Sequence, residues 1–324
     1  MCQARVQPPP NALVEDPRPL VAGFAVSSIV AIWMTSIASP LIFALALWRG
    51  WAGVAVALLV VTAIARLPLL SHWPAAAAAF RWAFARAFSV TSITFEPGAA
   101  PNRDRGHSVL YAVHPHGVYT MGFIQLVLQP SMKDVTFFFS AVLYHSPLFH
   151  LLSKLVGHDF APADKAPMLA RMRRGADLAL TPGGFEEATL TSGGAADRVY
   201  IKARAGFVKY CLQHGVAISP VYAFGEKAIY ANAQGAWGLR LWLNSLGAPA
   251  VCPWGRWCCP LAPRLRPLHV VVGAPIPMEI NPRPSAEEVA AAHARYVAAL
   301  GELFNRHKVA AYGEEGRALS LEVW

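Results

Sequence analysis

Two histidines lie where a predicted strand ends, in the segment Tyr111–Gly117 (Tyr-Ala-Val-His-Pro-His-Gly). The apolar run from Ser108 to Val113 predicts a buried strand, and Pro115 marks its end. In open α/β sheets, the groups that bind ligands cluster at the carboxyl ends of strands. Histidine is the side chain best suited to move a proton near neutral pH. The segment therefore predicts a general base; on these residues alone, the alternative is a turn with two surface histidines.

Two more predicted strands end in segments that combine carboxylates with glycines, Pro182–Glu187 and Phe224–Glu226. A carboxylate can orient a histidine or bind a polar head group, and exposed backbone amides can hold an oxyanion. Gly117 and the pair Gly183 and Gly184 are the candidates for such amides. A base, a carboxylate and amide-bearing turns together favour acyl transfer.

Alternating β-like and α-like segments must position these groups in the chain. Apolar runs predict the strands, and segments with helix-forming residues that close at a glycine predict helices. A capping box at Ser285–Glu288 opens the last predicted helix. Such alternation predicts an α/β fold with a largely parallel sheet flanked by helices. The predicted strands are 108–113, 135–143, 177–181, 216–224 and 268–272, and the predicted helices are 165–174, 202–214 and 285–308.

The amino-terminal part of the chain is strongly apolar. No charged residue lies between Arg18 and Arg49, or between Arg49 and Arg66. The first run is long enough to cross a bilayer, which needs about 20 apolar residues. We interpret residues 20–72 as a transmembrane helical hairpin with its turn at Arg49, and a re-entrant hairpin bent at Pro40 is the alternative. A cleaved signal peptide fits poorly, because the run is too long for a signal core.

Composition suggests the remaining organisation. Residues 1–19 are proline-rich and polar, which predicts a disordered tail, and residues 73–324 are predicted to form a cytosolic catalytic domain. Arginines outside the hairpin turn favour cytosolic ends. Residues 75–88 predict a helix that lies either in the membrane interface or on the domain as a connector. The tryptophan-rich segment 230–260 is a lid, a second lipid-contacting surface or an ordinary loop.

Charge and cysteine content narrow the classes of partner and site. The net charge is +9 and the pI is about 9.5, but no basic stripe or nucleic-acid motif accompanies them. Anionic lipid and phosphate-bearing substrates explain the charge more economically, so nucleic acid is not an expected partner. The five cysteines form no paired C-x-x-C pattern. A metal-dependent hydrolase using His114 and His116 would need a further Asp-His pair close by, and none follows, so no metal site is predicted.

Five segments, in order and spacing, carry a resemblance to a known family. They are HPHG at 114–117, PGGFEEA at 182–188, RAGFVKYCLQHGVAISPVYAFGE at 204–226, VVGAPIP at 271–277 and EEVAAAHARYVAALGELFNRHK at 287–308. With them the chain resembles the type-2 diacylglycerol acyltransferases, a family that includes monoacylglycerol acyltransferases. One departure is clear: the family commonly has Arg-Lys-Gly-Phe where this chain has Arg204-Ala205-Gly206-Phe207.

The resemblance implies transfer of a fatty acyl group from acyl-CoA to the free hydroxyl of diacylglycerol, which gives triacylglycerol. It implies no cofactor beyond the acyl-CoA substrate, and a fold like that of glycerolipid acyltransferases. It also implies residence in the endoplasmic reticulum membrane, with contact to lipid droplets; assembly into a homo-oligomer is left open. The alternatives are another acceptor (monoacylglycerol, a fatty alcohol or a lysophospholipid) and a non-catalytic membrane adaptor.

The strand ends and the resemblance together select the site residues. His116 is the predicted base because it directly precedes Gly117, and His114 is expected to shape the turn or to hydrogen-bond a partner. Glycerolipid acyltransferases pair a histidine with a nearby downstream aspartate; residues 117–123 contain none, so Glu187 is the predicted partner. The basic residues expected to meet the CoA phosphates, with a solvated basic helix face as the alternative, are Arg171, Arg173, Arg174, Lys202, Arg204 and Lys209. The other predicted residues are Pro115, Gly206, Phe207 and Glu226 for substrate binding, and Gly117, Gly183 and Gly184 for the oxyanion or the turn.

Overall fold

The computed structural model of the protein describes residues 19–67, 73–86, 88, 91–102, 105–191, 196–247 and 249–324. The predicted disordered tail, residues 1–19, lies outside these residues except for Pro19. The described helices are α1 (Pro19–Trp48), α2 (Ala52–Arg66), α3 (Pro74–Ala85), α4 (Met121–Val127), α5 (Ala141–His145), α6 (Pro147–Val156), α7 (Lys165–Arg173), α8 (Gly184–Leu190), α9 (Gly206–His214), α10 (Glu226–Ile229), α11 (Trp237–Ser245) and α12 (Ala286–Tyr312).

The strands are β1 (Thr91–Phe95), β2 (Val109–His114), β3 (Thr136–Phe139), β4 (Asp159–Pro162), β5 (Leu178–Leu180), β6 (Ala196–Val199), β7 (Ala217–Phe224), β8 (Ala231–Asn232), β9 (Pro253–Trp254), β10 (Leu268–Val272) and β11 (Ser320–Val323). Seven of them form one sheet in the order β1-β10-β7-β2-β5-β3-β4. The neighbours from β7 to β4 are parallel, β1 and β10 are parallel to each other, and β10 meets β7 antiparallel. The predicted α/β architecture with a largely parallel sheet flanked by helices is therefore confirmed.

Strand β2 lies in the middle of this sheet, and its side chains alternate between two apolar cores. Val109 and Tyr111 belong to the core that also receives α1 and α4, whereas Leu110 and Ala112 face the core built with α9 and α12. All of β2 is buried. A strand buried on both faces reads as a continuous apolar run, and this explains the pattern seen in the sequence.

Helix α1 is part of the first core. Its residues Val26, Ile29, Val30 and Trp33 are buried there, at spacings that place them on one helix face. The Trp33 ring centroid lies 6.3 Å from that of Phe139 at the end of β3. Helix α1 therefore packs directly against residues beyond the boundary predicted at residue 73.

The outer side of α1 remains apolar and exposed. Among the described residues, one helix, Gly23–Trp48, is long and apolar enough to cross a membrane by length and composition, and Ala52–Ala65 is a shorter apolar helix. Helix α1 continues through Pro40, and a tight turn at Arg49 and Gly50 connects it to α2, which packs against it.

Candidate active site

The two motif segments meet because the strands that carry them are neighbours. Strands β2 and β5 pair in parallel, with Leu110 opposite Leu178 and Ala112 opposite Leu180. Their carboxyl ends therefore lie at the same edge of the sheet. The turn after β2 carries His114–Gly117, and the turn after β5 leads into α8, which carries Glu187.

Glu187 is fully buried and joins these turns. Its carboxylate accepts hydrogen bonds from His114 Nδ1 at 2.9 and 3.0 Å, from the backbone N–H of His116 at 2.5 Å and from that of Tyr200 at 2.8 Å. A buried carboxylate is tolerated when several donors satisfy it, as here. Glu187 thus fixes the backbone on which His116 is carried, in addition to holding His114.

His114 is fully buried, and both of its ring nitrogens are hydrogen-bonded. Nδ1 donates to Glu187, and Nε2 accepts from the hydroxyl of Tyr296 on α12 at 2.8 Å. Burial raises the pKa of Tyr296 well above its ordinary value, so its hydroxyl remains a donor. With both nitrogens used, His114 has no ring nitrogen left for a substrate.

His116 has the opposite environment. It is half-buried, and its Nδ1 donates to the carbonyl oxygen of Gly117 at 2.8 Å. Within the described residues no group hydrogen-bonds its Nε2, and the side chain lines the large cavity of the protein. Burial lowers the pKa of His116 below its ordinary value, so the ring is neutral at neutral pH and Nε2 carries a lone pair.

Glu226 packs against the turn that carries His116 and Gly117. Its carboxylate accepts hydrogen bonds from the backbone N–H groups of Met121 at 3.0 Å and Gly122 at 2.6 Å, where α4 begins. Burial raises its pKa to about 8. Gly117 has a φ of +64°, and a Cβ on it would lie 2.1 Å from Glu226 Oε1. Only glycine fits between the turn and this carboxylate.

The cavity that His116 lines has a volume of about 650 Å³ and mostly apolar walls. Phe138 and Phe139 contribute from β3, Phe123 from α4 and Leu143 from α5, and Phe185, Phe207 and Tyr210 contribute from α8 and α9. Helix α1 closes it with Trp33, Met34 and Ile37. Such a volume and lining suit a lipid chain.

Comparison with known proteins decides the family. The family model described as "Diacylglycerol acyltransferase" matches residues 79–322. The chain belongs to the diacylglycerol acyltransferase family. The resemblance carried by the motifs is thereby confirmed, and the chain is an acyltransferase of this family.

Individual relatives differ in the acceptor that their names state. The 2-acylglycerol O-acyltransferase 1 of Bos taurus is 26% identical over 223 residues, which cover 63% of this chain and 67% of the relative. The acyl-CoA wax alcohol acyltransferase 2 of Homo sapiens is 36% identical over 141 residues, which cover 39% of this chain and 40% of the relative.

A solved structure is also similar to the chain. The 1-acyl-sn-glycerophosphate acyltransferase of Thermotoga maritima is 11% identical with a TM-score of 0.42, and the match covers 88% of this chain and 97% of that one. The fold likeness to glycerolipid acyltransferases, expected from the sequence, stays a prediction at this TM-score.

The structure of this family member brings several predicted site residues into the cavity and leaves others outside it. His116, Gly184, Arg204, Gly206 and Phe207 line the cavity. His114, Glu187, Gly117, Gly183 and Pro115 are packed around the turn and are not in the cavity wall. Glu226 also stays outside, because its carboxylate is held at the start of α4.

The predicted phosphate-binding residues divide in the same way. Arg204 lines the cavity, forms an ion pair with Glu186 and lies over the Tyr200 ring at 5.6 Å. Arg171 is paired with Asp159 at 3.1 Å. The other four, outside the cavity wall, are exposed: Arg173, Arg174, Lys202 and Lys209.

Three features of this site were not foreseen from the sequence. Tyr296 lies 182 positions from its partner His114, and although it belongs to the segment 287–308 that carries part of the resemblance, nothing in that segment identifies it as a partner of His114. Helix α1 was expected to serve the membrane, yet it also walls the cavity. Thr120 lines the cavity in a left-handed conformation, with φ 50° and ψ 43°, which is strained for a β-branched residue.

A substitution at Gly183 can test how closely the Glu187 carboxylate is packed. A Cβ at Gly183 would lie 2.1 Å from Glu187 Oε2, while its φ of −71° suits alanine. We expect Gly183→Ala to displace the carboxylate and destabilise the protein by about 1–3 kcal/mol, as overpacking does. Thermal unfolding measures the effect. The control is Gly301→Ala in α12, where no described residue beyond the local helix backbone lies within 4 Å of the added Cβ, and a wild-type melting temperature for Gly183→Ala would contradict this packing.

Proposed function

We propose that the protein transfers a fatty acyl group from acyl-CoA to the free hydroxyl of diacylglycerol, giving triacylglycerol and free CoA. The observation that carries this proposal is the state of His116. Its ring is neutral, Nδ1 is engaged by the carbonyl of Gly117, and Nε2 is left available beside an apolar cavity of about 650 Å³. A general base and a lipid-sized cavity meet at one point.

The proposed reaction needs no group beyond the chain and its two substrates. The acceptor hydroxyl gives its proton to His116 Nε2 while its oxygen attacks the carbonyl carbon of the thioester. A tetrahedral oxyanion forms, the carbon–sulfur bond breaks, and the thiolate of CoA takes the proton back from the imidazolium. The imidazolium is held by the Nδ1–H bond to the carbonyl of Gly117, which is 2.8 Å long.

The surrounding residues act on the position of His116. Glu187 fixes the His116 backbone N–H, and His114 with Tyr296 holds Glu187 from the far side. We assign to these three residues a positioning role. For the oxyanion, the backbone amides of Gly117, Gly183 and Gly184 are the proposed donors. Gly184 lines the cavity, and its N–H also donates to the Thr181 carbonyl at 3.3 Å.

Recognition of CoA is assigned to the basic residues at the rim. Arg204 is the first candidate because it lines the cavity and its pair with Glu186 is partly exposed, so a phosphate can compete for it. Exposed Lys202 and Lys209 lie on the same stretch of chain, before and within α9. Arg173 and Arg174, at the carboxyl end of α7, are the next candidates.

The protein is proposed to work in the endoplasmic reticulum membrane, with residues 73–324 on the cytosolic side and access to lipid droplets. The exposed apolar flanks of α1 and α2 support membrane insertion of this helical pair: Leu41 is 73% and Leu59 is 56% exposed. Diacylglycerol dissolved in the bilayer would then reach the cavity past Met34 and Ile37, which lie both in the cavity wall and at the surface of α1.

A second candidate differs only in the acceptor. The names of two relatives state 2-acylglycerol and wax alcohol as acceptors, so monoacylglycerol and fatty alcohol are the competing substrates, followed by lysophospholipid. Incubating membranes that contain the protein with labelled acyl-CoA and each acceptor in turn, then separating the lipids, tests the proposal. Triacylglycerol is the expected main product. Wax ester as the main product would identify a fatty alcohol as the acceptor, and diacylglycerol as the main product would identify monoacylglycerol as the acceptor.

The reaction is expected to proceed without a covalent acyl-enzyme. Cys211 is fully buried, burial raises the pKa of its thiol, and none of the described residues that line the cavity is a cysteine. The sequence has no Gly-x-Ser-x-Gly elbow. Varying both substrates should therefore give intersecting lines in double-reciprocal plots. Parallel lines, or a hydroxylamine-sensitive acyl group that forms and discharges at the rate of turnover, would contradict direct attack.

The pH profile reports the base. Burial lowers the pKa of His116, so its neutral, active form persists below the ordinary histidine value of about 6.5. We expect kcat/KM to stay level from neutral pH down to roughly that value and to fall only at lower pH. The measurement is kcat/KM for acyl-CoA in detergent micelles across this range. An acidic limb centred above the ordinary histidine value would contradict the environment described for His116.

A further inference from the structure

Helix α11 is amphipathic, but its apolar face points outward and its polar face packs on the protein, opposite to a surface helix of a soluble domain. Its outward stripe consists of Leu239 and Trp242, continued by Leu246, which are 60%, 57% and 64% exposed. The opposite side carries Arg240 and Asn244, one helical turn apart, and both face the protein. A helix that packs on an aqueous domain buries its apolar stripe instead.

The polar side of α11 fixes this orientation. Arg240 donates to the carbonyl oxygens of Ala233 and, at 2.9 Å, Ala250. Asn244 is buried and donates to the Thr189 hydroxyl at 2.7 Å, and its own side-chain oxygen accepts from the Ala250 N–H at 2.9 Å. These hydrogen bonds fix the rotation of the helix about its own axis. The apolar stripe cannot turn inward without leaving buried polar groups unpaired.

Charge identifies the occupant of this face. From Trp242 to Met278 the chain has three basic residues, Arg256, Arg264 and Arg266, and no aspartate or glutamate. At the tip of the segment the guanidinium of Arg256 lies 4.3 Å from the ring centroid of Trp257, which is 74% exposed. Exposed aromatic and aliphatic side chains together with arginines and no acidic residues fit the interface of a membrane with anionic head groups.

The position of the segment connects this face to the cavity. Directly after α11, Pro249, Val251 and Pro253 line the cavity that contains His116. From another side Met34 and Ile37 of α1 line the same cavity. The cavity is thus bordered by two separate apolar surfaces.

We infer that α11 and the following segment to Trp257 form a second lipid-contacting surface, which rests on a phospholipid bilayer that carries anionic head groups. This surface is distinct from the apolar flank of α1. It would hold the mouth of the cavity against the lipid in which the acceptor is dissolved. That last consequence rests on the proposed function, whereas the contact itself does not.

Site-directed fluorescence tests the contact in the full chain. The labelled positions are Leu246→Cys and, as the matched control, Ile280→Cys, because Ile280 is 70% exposed on another part of the protein. Both are made in a background with Cys2, Cys252, Cys258 and Cys259 replaced by serine, and each thiol carries an NBD group. The proteins are reconstituted in phosphatidylcholine vesicles with and without phosphatidylserine. Quenching is measured with a lipid-borne nitroxide and with aqueous iodide.

The label at 246 is expected to be quenched by the nitroxide and shielded from iodide, with a several-fold contrast to the label at 280, and phosphatidylserine should strengthen the nitroxide quenching. A label at 246 that behaves like the label at 280 overturns the inference. Shielding from both quenchers also overturns it, and would assign the face to a second copy of the chain.

A turnover measurement separates this inference from the proposed function. The double variant Leu239→Glu with Trp242→Glu should lose activity several-fold on diacylglycerol presented in vesicles, with an unchanged melting temperature, while Ile280→Glu should not. Equal activity of the double variant and the control counts against a role in substrate entry. If the wild-type protein shows no transfer to any acceptor, the proposed function fails, yet the quenching result still decides whether the surface contacts lipid.

Discussion

Replacing His116 by alanine is expected to lower the rate of acyl transfer by about 10²- to 10⁴-fold, the usual cost of removing a general base. Nε2 of His116 is the available base in the cavity, because both nitrogens of His114 are occupied. The side chain is only half-buried, so its loss should leave the melting temperature near that of the wild type. Initial rates with saturating acyl-CoA and diacylglycerol measure the effect.

Two further variants make this prediction specific. His145 is exposed in α5 and outside the cavity wall, so His145→Ala should retain wild-type turnover. His114→Ala removes a fully buried ring that pairs with Glu187, and it should lower the melting temperature as well as the rate. Folded His116→Ala protein with wild-type turnover would refute the assignment of the base.

Deleting residues 1–72 is expected to abolish both activity and stable folding, and not only membrane attachment. The deletion removes α1, which contributes Val26, Ile29, Val30 and Trp33 to the main core and walls the cavity. Truncating one buried tryptophan to alanine typically costs about 3–5 kcal/mol. A whole domain is stable by only about 5–15 kcal/mol, so the loss of a core helix exceeds what the remainder can bear.

Matched variants separate this effect from loss of the membrane anchor. Deletion of residues 1–18 keeps α1 complete and should leave turnover in detergent unchanged. Trp33→Ala should lower the melting temperature in detergent, whereas Phe24→Ala, on the same helix but 76% exposed, should not. A fragment of residues 73–324 that retains wild-type turnover and melting temperature would show that α1 is only an anchor.

Much of the secondary structure could be predicted because it depends on local chemistry. Strand β10 occupies the predicted Leu268–Val272, and α12 begins at the capping box of Ser285. The predicted strand 135–143 is shorter in the structure: β3 ends at Phe139, and Ser140 caps α5 there by accepting a hydrogen bond from the Leu143 N–H. An apolar run alone does not distinguish a strand from the short helix that follows it.

The sheet contained one arrangement that the alternation of elements did not predict. Strand β10 pairs antiparallel with β7, and β1 extends the sheet beside it. Periodicity within a segment indicates which side chains are buried, but it does not indicate whether a neighbouring strand runs parallel or antiparallel. Strand direction follows from the connections and from the packing of the whole domain.

The local part of the site follows from the amino-acid sequence alone. The sequence places His116 beside Gly117 at a strand end, and the bond from Nδ1 to the Gly117 carbonyl joins adjacent residues. Three other features depend on the packing of the whole chain: the hydrogen bond of Tyr296 to His114, the contact of Glu226 with α4 instead of the cavity, and the place of α1 in the cavity wall. Contacts between neighbouring residues are limited by the backbone to few geometries. A contact between residues 182 positions apart depends on the packing free energy of the entire chain, and a short segment of sequence does not contain that information.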